Sequence, residues 1–351
     1  MNEREQDNRD NCYLLPANSR GEMVNIAIVG VGVLGKRWAE VLTQIETVGL
    51  GALIDPLIGT DQAPPWLQDY RSVPQLESIE QAHGLGIEAV LVAASSPAHG
   101  SAVKKALQQG YHVLVEKPFT TNWTDAELLV GLARENNRTL MVNQNYRFFP
   151  GPQALRNLVV SGELGNVLAV AGQFWRDWAG KPYQHTMLHP MRLEMAIHHF
   201  DLVRFMFSAE PVSGRIHEWN PRRSPYRMGG ALEALFLMGS EGIAFPFTYT
   251  GSLVSTAPAT PWGGLWRFEF DDGTLFADEV AGEYALYRSS TSGRVKISDF
   301  GDPTMGFEKS ARHFLTCIAT RAEPTSSGRD NLNSLRMALK FNCDDETDAL
   351  S

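Results

Sequence analysis

The chain has 351 residues, about twice the usual domain size, so two domains are the starting expectation. Hydrophobic residues make up 43% and charged residues 20%, a globular balance that excludes a disordered or fibrous protein. A net charge of −9, from 31 basic and 40 acidic residues, argues against nucleic acid or an anionic membrane as partner, and no stretch approaches the roughly 20 apolar residues of a membrane span.

Residues 1–22 read as a polar tail with no apolar core, hence no secretory signal. Three cysteines (Cys12, Cys317, Cys343) are too few and too scattered for a disulfide framework or a Cys-based zinc site, and a reducing, cytoplasmic setting fits. From residue 23 to 145, short β-branched runs (24–29, 50–54, 88–94, 111–115, 139–143) alternate with helical patterns such as 34–48 and 99–109. Gly110 stops the second of these as a C-terminal cap. This alternation implies a parallel, doubly wound α/β sheet. Past residue 146 the rhythm changes. Helical patterns cover 151–161 and 192–207. Strand-like runs follow near 167–178, 212–219, 231–238, 242–250, 264–271, 274–278, 283–288 and 294–299, punctuated by turns such as Asp271-Asp272-Gly273. Helices at 306–321 and 328–343 close the chain. Residues 146–351 therefore read as an α+β domain on a mostly antiparallel sheet, for substrate binding and oligomerisation.

Gly30-Val31-Gly32-Val33-Leu34-Gly35 has the spacing G-x-G-x-x-G, directly after a predicted strand and at the opening of a predicted helix. Gly30 permits the tight turn, Gly32 lets a pyrophosphate approach the backbone, and Gly35 lets helix and strand pack closely, with the anion on the helix N-terminus. Asp55 ends the next apolar run, 20 residues after Gly35, where a carboxylate accepts bonds from ribose hydroxyls. That carboxylate repels a 2′-phosphate, and Pro56-Leu57-Ile58-Gly59 offers no cation for one, so NAD is favoured over NADP. Further on, Tyr111-His112-Val113-Leu114-Val115 runs into Glu116-Lys117-Pro118. A lysine at the carboxyl edge of a parallel strand stands where doubly wound sheets place their ligands. Pro118 restrains the backbone after it.

Gly30 to Gly35, Asp55, the turn Ser95-Ser96-Pro97-Ala98-His99 and Glu116-Lys117-Pro118 together resemble the glucose–fructose oxidoreductase, inositol dehydrogenase and MocA family (Gfo/Idh/MocA), over residues 24 to about 340. The resemblance implies a Rossmann domain followed by an α+β domain with a large, open, mostly antiparallel sheet. It implies oxidation or reduction of a carbinol carbon of a sugar, cyclitol or related compound with NAD or NADP, in a homodimer or homotetramer packed through that sheet. By the same resemblance Gly30, Gly32, Val33, Leu34, Gly35, Asp55, Ser95, Ser96, Pro97, His99, Glu116 and Lys117 contact the cofactor, and Lys117 also meets the reacting hydroxyl.

In Met191-Arg192-Leu193-Glu194-Met195-Ala196-Ile197-His198-His199-Phe200-Asp201-Leu202, helical projection places Glu194, His198 and Asp201 at about 0°, 40° and 340°, one narrow stripe among apolar neighbours. An imidazole flanked by carboxylates is a proton acceptor near neutral pH, its tautomer fixed by the acids. The segment resembles the family's Asp-x-x-x-His-x-x-Asp helix, which implies that His198 is the general acid/base, supported by Glu194, with Asp201 as the second acid. Glutamate at 194 departs from the more usual aspartate, and His189-Pro190-Met191-Arg192 replaces the glycine-rich run that often precedes this helix. A metal held by His185, His189, Glu194 and His198 competes with this reading, but Pro190 interrupts helical continuity and the redox chemistry needs no metal. Arg147, in Asn143-Gln144-Asn145-Tyr146-Arg147-Phe148, reads as a substrate ligand or as half of a salt bridge. The substrate set is then Lys117, Arg147, Glu194, His198 and Asp201. Two alternatives to net hydride transfer stay open: an NAD-dependent glycosidase working by transient oxidation and elimination, and a non-catalytic nucleotide-binding sensor.

Overall fold

A computed structural model describes residues 23–240 and 242–342. The predicted polar tail, Cys12, Cys343 and the acidic run Asp344-Asp345-Glu346-Thr347-Asp348 lie outside the described residues. The described residues divide into two units, the first ending at Gln144 and including Phe307–Leu332, the second comprising Asn145–Gly306 and residues 333–342.

The first unit is a six-stranded parallel sheet in the order β3-β2-β1-β4-β5-β6. Its strands are β1 (Val24–Val29), β2 (Val48–Ile54), the two-residue β3 (Gln75–Leu76), β4 (Ala89–Val92), β5 (His112–Glu116) and β6 (Leu140–Asn143). All four residues of β4 are buried, as a strand covered on both faces requires. Helix α1 (Val33–Leu42) buries Gly35, Trp38, Ala39 and Leu42, the i, i+3, i+4, i+7 set of one helix face. Helix α2 (Ser96–Gln108) follows β4, and α3 (Trp123–Glu135), which the sequence reading passed over, is capped by the Asn122 side chain accepting from Asp125 N at 3.1 Å.

The sequence reading groups the chain from Phe307 onward with the second domain, whereas the structure places residues 307–332 with the first unit. The physical reason is local: Phe307 meets the fully buried Trp38 edge-on at 4.9 Å between ring centroids. Val142 N also donates to Ser326 O at 2.9 Å while Ser326 Oγ donates to Val142 O at 2.8 Å, fastening this segment beside β6.

The second unit opens with α4 (Pro150–Ser161) and carries an eight-stranded sheet in the order β14-β13-β12-β11-β7-β10-β9-β8. Its strands are β7 (Val167–Trp175), β8 (Glu210–Trp219), β9 (Ala231–Ser240), β10 (Ile243–Ser252), β11 (Leu265–Phe270), β12 (Gly273–Val280), β13 (Glu283–Ser290) and β14 (Gly293–Asp299). Neighbours pair antiparallel except β7 with β10, which run parallel at the centre. The pleat sorts residues by polarity and position: in β9, Leu232, Ala234, Phe236 and Met238 are buried, while Glu233, Leu235 and Leu237 face outward. Helix α6 (Ile197–Phe207), which follows the short α5 (Pro182–Thr186), lies on the inner face. There Phe200 meets Phe236 edge-to-face at 5.2 Å, a favourable aromatic geometry. Helix α7 (Phe307–Thr320), which belongs to the first unit, and helix α8 (Gly328–Leu339) follow β14.

Candidate active site

In the first unit the glycine loop has the form the spacing predicts. Gly30 takes φ +98°, and a Cβ there would stand 2.5 Å from Ala94 N, so only glycine fits this turn. A Cβ on Gly35 would meet Gly30 O at 1.9 Å, which is the close helix–strand approach in atomic terms. Gly32 is different, because no protein atom lies within 4 Å of where its Cβ would be. The room there is not used by the chain's own packing. Gly32 caps α1 with no side-chain hydrogen bond, and no acid occupies the first turn, where exposed Val33 and half-buried Leu34 stand. The helix terminus therefore offers amide hydrogens and a positive dipole end to an anion. The chain's own residues thus fit a dinucleotide.

Asp55 is placed by two backbone donors, Val31 N to Oδ2 at 3.0 Å and Leu57 N to Oδ1 at 2.9 Å. A carboxylate has about four acceptor positions, so two remain for ribose hydroxyls. Sequence reading missed Trp66, whose Nε1 donates to Val31 O at 3.1 Å and ties the 3₁₀ segment Pro65–Tyr70 to the glycine loop. A lone tryptophan in a Pro-Pro segment carries no periodic signal that finds this.

Five further predicted cofactor residues stand at the ends of β4 and β5. Ser95 caps α2, Ser96 is buried in its first turn and Pro97 follows at the surface. His99 is 1% exposed, with Nδ1 2.7 Å from Pro118 O and Nε2 2.9 Å from Ala94 O. Its ring joins the end of β4 to the loop that carries Lys117. Sequence spacing identifies the histidine without showing that both nitrogens lie against carbonyls. Glu116 is likewise buried, its Oε1 accepting from Trp38 Nε1 and Asn143 Nδ2, both at 2.8 Å. Burial raises its carboxyl above the usual range, against those donors. It anchors the end of β5, leaving the half-buried Lys117 immediately beyond the sheet edge, before a cis Lys117–Pro118 peptide.

In the second unit, Met191–Ala196 forms a π-helical turn that passes directly into α6. The wider turn changes the projection drawn for a uniform α-helix. Glu194 and His198 are both 7% exposed, and the His198 ring stacks on Tyr146 at 4.3 Å with planes 7° apart. Tyr146, which sequence reading quoted without assigning a role, therefore fixes the plane of the imidazole. Its hydroxyl is raised well out of its ordinary range, chiefly by burial. Glu194 faces the loop at 220–230: its charge, after burial, raises the hydroxyl of Tyr226, which donates to Trp178 O.

Asp201 does not join a substrate set. It is 1% exposed and forms a two-pronged pair with Arg147, Nε to Oδ2 at 2.7 Å and Nη2 to Oδ1 at 2.6 Å, and accepts from Ser334 Oγ at 2.7 Å. Arg147, 3% exposed, is the salt-bridge half of the two roles weighed for it. Both residues hold the second unit together. The histidines considered for a metal are engaged as well: His185 Nε2 contacts Ala179 O, and His189 Nδ1 lies 2.5 Å from Glu218 Oε2, which also takes Arg192 Nε at 2.8 Å. Among the described residues no group of three His, Cys, Asp or Glu side chains is arranged to hold a metal ion. Buried His199, beside His198, donates from Nε2 to Trp262 O at 3.0 Å and accepts at Nδ1 from Tyr249 at 2.7 Å, a neutral ring pushed down to about 4 by burial.

The model of an oxidoreductase family with an NAD-binding Rossmann fold, Gfo/Idh/MocA, matches residues 24–144, and that family's C-terminal domain model matches residues 153–241. The chain belongs to the Gfo/Idh/MocA oxidoreductase family. It is 26% identical over 336 residues to scyllo-inositol 2-dehydrogenase (NAD(+)) of Bacillus subtilis, covering 90% of this chain and 92% of that one. It is 24% identical over 329 residues to D-apiose dehydrogenase of Paraburkholderia graminis, covering 89% and 84%. In fold it is similar to an oxidoreductase from Agrobacterium radiobacter solved with NAD+, L-tartaric acid and magnesium, at a TM-score of 0.75 and 19% identity, covering 90% and 94%. No helix among the described residues is long and apolar enough to cross a membrane.

Proposed function

We propose that this family member is a dehydrogenase that interconverts a secondary alcohol and a ketone on a sugar, cyclitol or similar polyol, with NAD in preference to NADP. The observation that carries the cofactor reading is the open space at Gly32 beside an anchored Asp55 carboxylate. Asp55 opposes a 2′-phosphate, which supports the preference for NAD. The relatives acting on scyllo-inositol and D-apiose support the substrate class.

When bound, the nicotinamide supplies a two-electron acceptor. His198, its ring plane held by Tyr146, takes the proton of the substrate hydroxyl, and Glu194 supports it from the preceding π turn. Lys117, carried on the strand anchored by Glu116, stabilises the negative charge that develops on the same oxygen. Ketone reduction runs the proton back from His198. The outward face of the second unit's sheet carries Val212, Leu235 and Leu237 at 60%, 40% and 39% exposure, which supports a homodimer or homotetramer formed there.

The test is a panel of sugars, cyclitols and 2-ketosugars with NAD and with NADP, followed at the reduced-nicotinamide band. A substrate-dependent absorbance change that Lys117→Met abolishes, while NAD affinity stays within about twofold, is the expected result. Release of free sugar without accumulation of reduced cofactor selects the glycosidase reaction instead, and equal loss of turnover and NAD affinity in Lys117→Met refutes the role given to Lys117.

A further inference from the structure

A second charged feature of the first unit has no part in this chemistry. At the amino-terminal edge of the parallel sheet, opposite the edge that bears the glycine loop and Lys117, the starts of β5 and β6 open onto a cleft of about 1150 Å³. Arg134, Arg138, Arg321 and His112 line it. Two carboxylates also reach it, but Glu323 is already engaged by Arg329 and Ser327. Glu127 alone remains to face three guanidiniums, and among the described residues no ion pair involves Arg134, Arg138 or Arg321. This concentration of positive charge stands in a chain whose net charge is −9.

The hydrogen-bond directions are more specific than the charge. Thr139 N donates to His112 Nδ1 at 3.0 Å, so the ring hydrogen of the neutral imidazole is on Nε2. Arg138 Nη1 lies 3.5 Å from that same Nε2. Two donors thus face each other, an arrangement that one acceptor oxygen seated beside both would satisfy. Arg321 is placed at a conformational cost: it takes φ +58° just past α7, where a helix usually ends in glycine. Asn137, also on the cleft wall, takes φ +52°.

We propose that this cleft is an anion site distinct from the dinucleotide fingerprint, receiving a small polyanion with phosphate or carboxylate groups between Arg134, Arg138, Arg321 and the Nε2–H of His112. A guanidinium fork matches both oxyanions, so their shared chemistry defines the ligand class. The site is tested by calorimetric titration of the full chain, saturated with NAD to keep anions off the glycine loop, with pyrophosphate and with citrate at low ionic strength. Saturable binding is expected, with the tighter of the two probes assigning a phosphate or a carboxylate source. The double variant Arg138→Gln/Arg321→Gln should weaken it about tenfold or more while NAD affinity and melting temperature hold, since two charge-assisted bonds are lost. Chemical-shift mapping of labelled histidines should show His112 moving on titration. Absence of saturable binding of either anion up to about 10 mM, unchanged affinity in the double variant, or a stationary His112 overturns the proposal.

Discussion

Replacing Asp201 by alanine separates a supporting role from a substrate-binding one. The buried Arg147 guanidinium would keep its charge and lose both short bonds to the carboxylate, at 2.6 and 2.7 Å. Arg204 Nη1, 3.5 Å from the same carboxylate and 2% exposed, would retain its partner Glu210. Removing one partner of a buried ion pair costs about 3–5 kcal/mol, because the remaining ion is left desolvated. At about 2–4 °C per kcal/mol for a unit of this size, the melting temperature should fall by about 6–20 °C. Urea unfolding followed by tryptophan fluorescence measures this in the full chain. The double variant Arg147→Met/Asp201→Leu, which leaves no charge behind, should recover most of the loss. If Asp201→Ala instead loses less than about 1 kcal/mol and mainly raises KM for the polyol, Asp201 is a substrate ligand and the supporting role is refuted.

The glycine loop gives a paired prediction. Gly32→Ala should leave the melting temperature within about 2 °C and weaken NAD binding at least tenfold, whereas Gly35→Ala, with a Cβ forced to 1.9 Å from Gly30 O, should destabilise the first unit outright; thermal shift and cofactor titration separate the two. His99→Leu removes the ring that lies between the carbonyls of Ala94 and Pro118, of which a neutral imidazole donates to one, costing about 1–3 kcal/mol, and should lower kcat through the Lys117 loop more than it alters NAD affinity, as steady-state kinetics and cofactor titration will show. His199 is pushed down to about 4 by burial from an ordinary value of 6.5. The folded state therefore resists a proton that the unfolded chain accepts. Stability is complete above about pH 6.5 and falls by up to about 3 kcal/mol as the pH drops toward 4, a slope that His199→Gln should flatten in pH-dependent urea melts.

Much of this architecture could be read along the chain because it is locally encoded. Strand β1, the glycines that follow it and Asp55 lie within one β-α-β unit, where each position has a single physical reason. Helix α3 was equally local, with Asn122 as its cap, but no motif drew attention to it. What could not be read depends on contacts distant in sequence. Ser326 beside Val142 and Phe307 on Trp38 bring residues 307–332 to the first unit across more than a hundred residues, with no periodic signature. The pairing of Arg147 with Asp201 is of the same kind, since each residue alone reads equally well as a ligand. The π turn at Met191–Ala196 was hidden for another reason: hydrophobic spacing is nearly the same for one wide turn as for a regular helix, so the angles assigned to Glu194 and Asp201 had no local check.

The assignment stands or falls on whether Lys117 and His198 serve one chemical step. The direct measurement is a double-mutant cycle in kcat/KM on the substrate identified by the panel, using Lys117→Met, His198→Ala and the pair. Groups acting together at one reacting carbon are strongly non-additive, so each single variant should lose about 10²–10⁴-fold and the pair little more than the worse single. Losses that multiply across the pair would contradict a shared step.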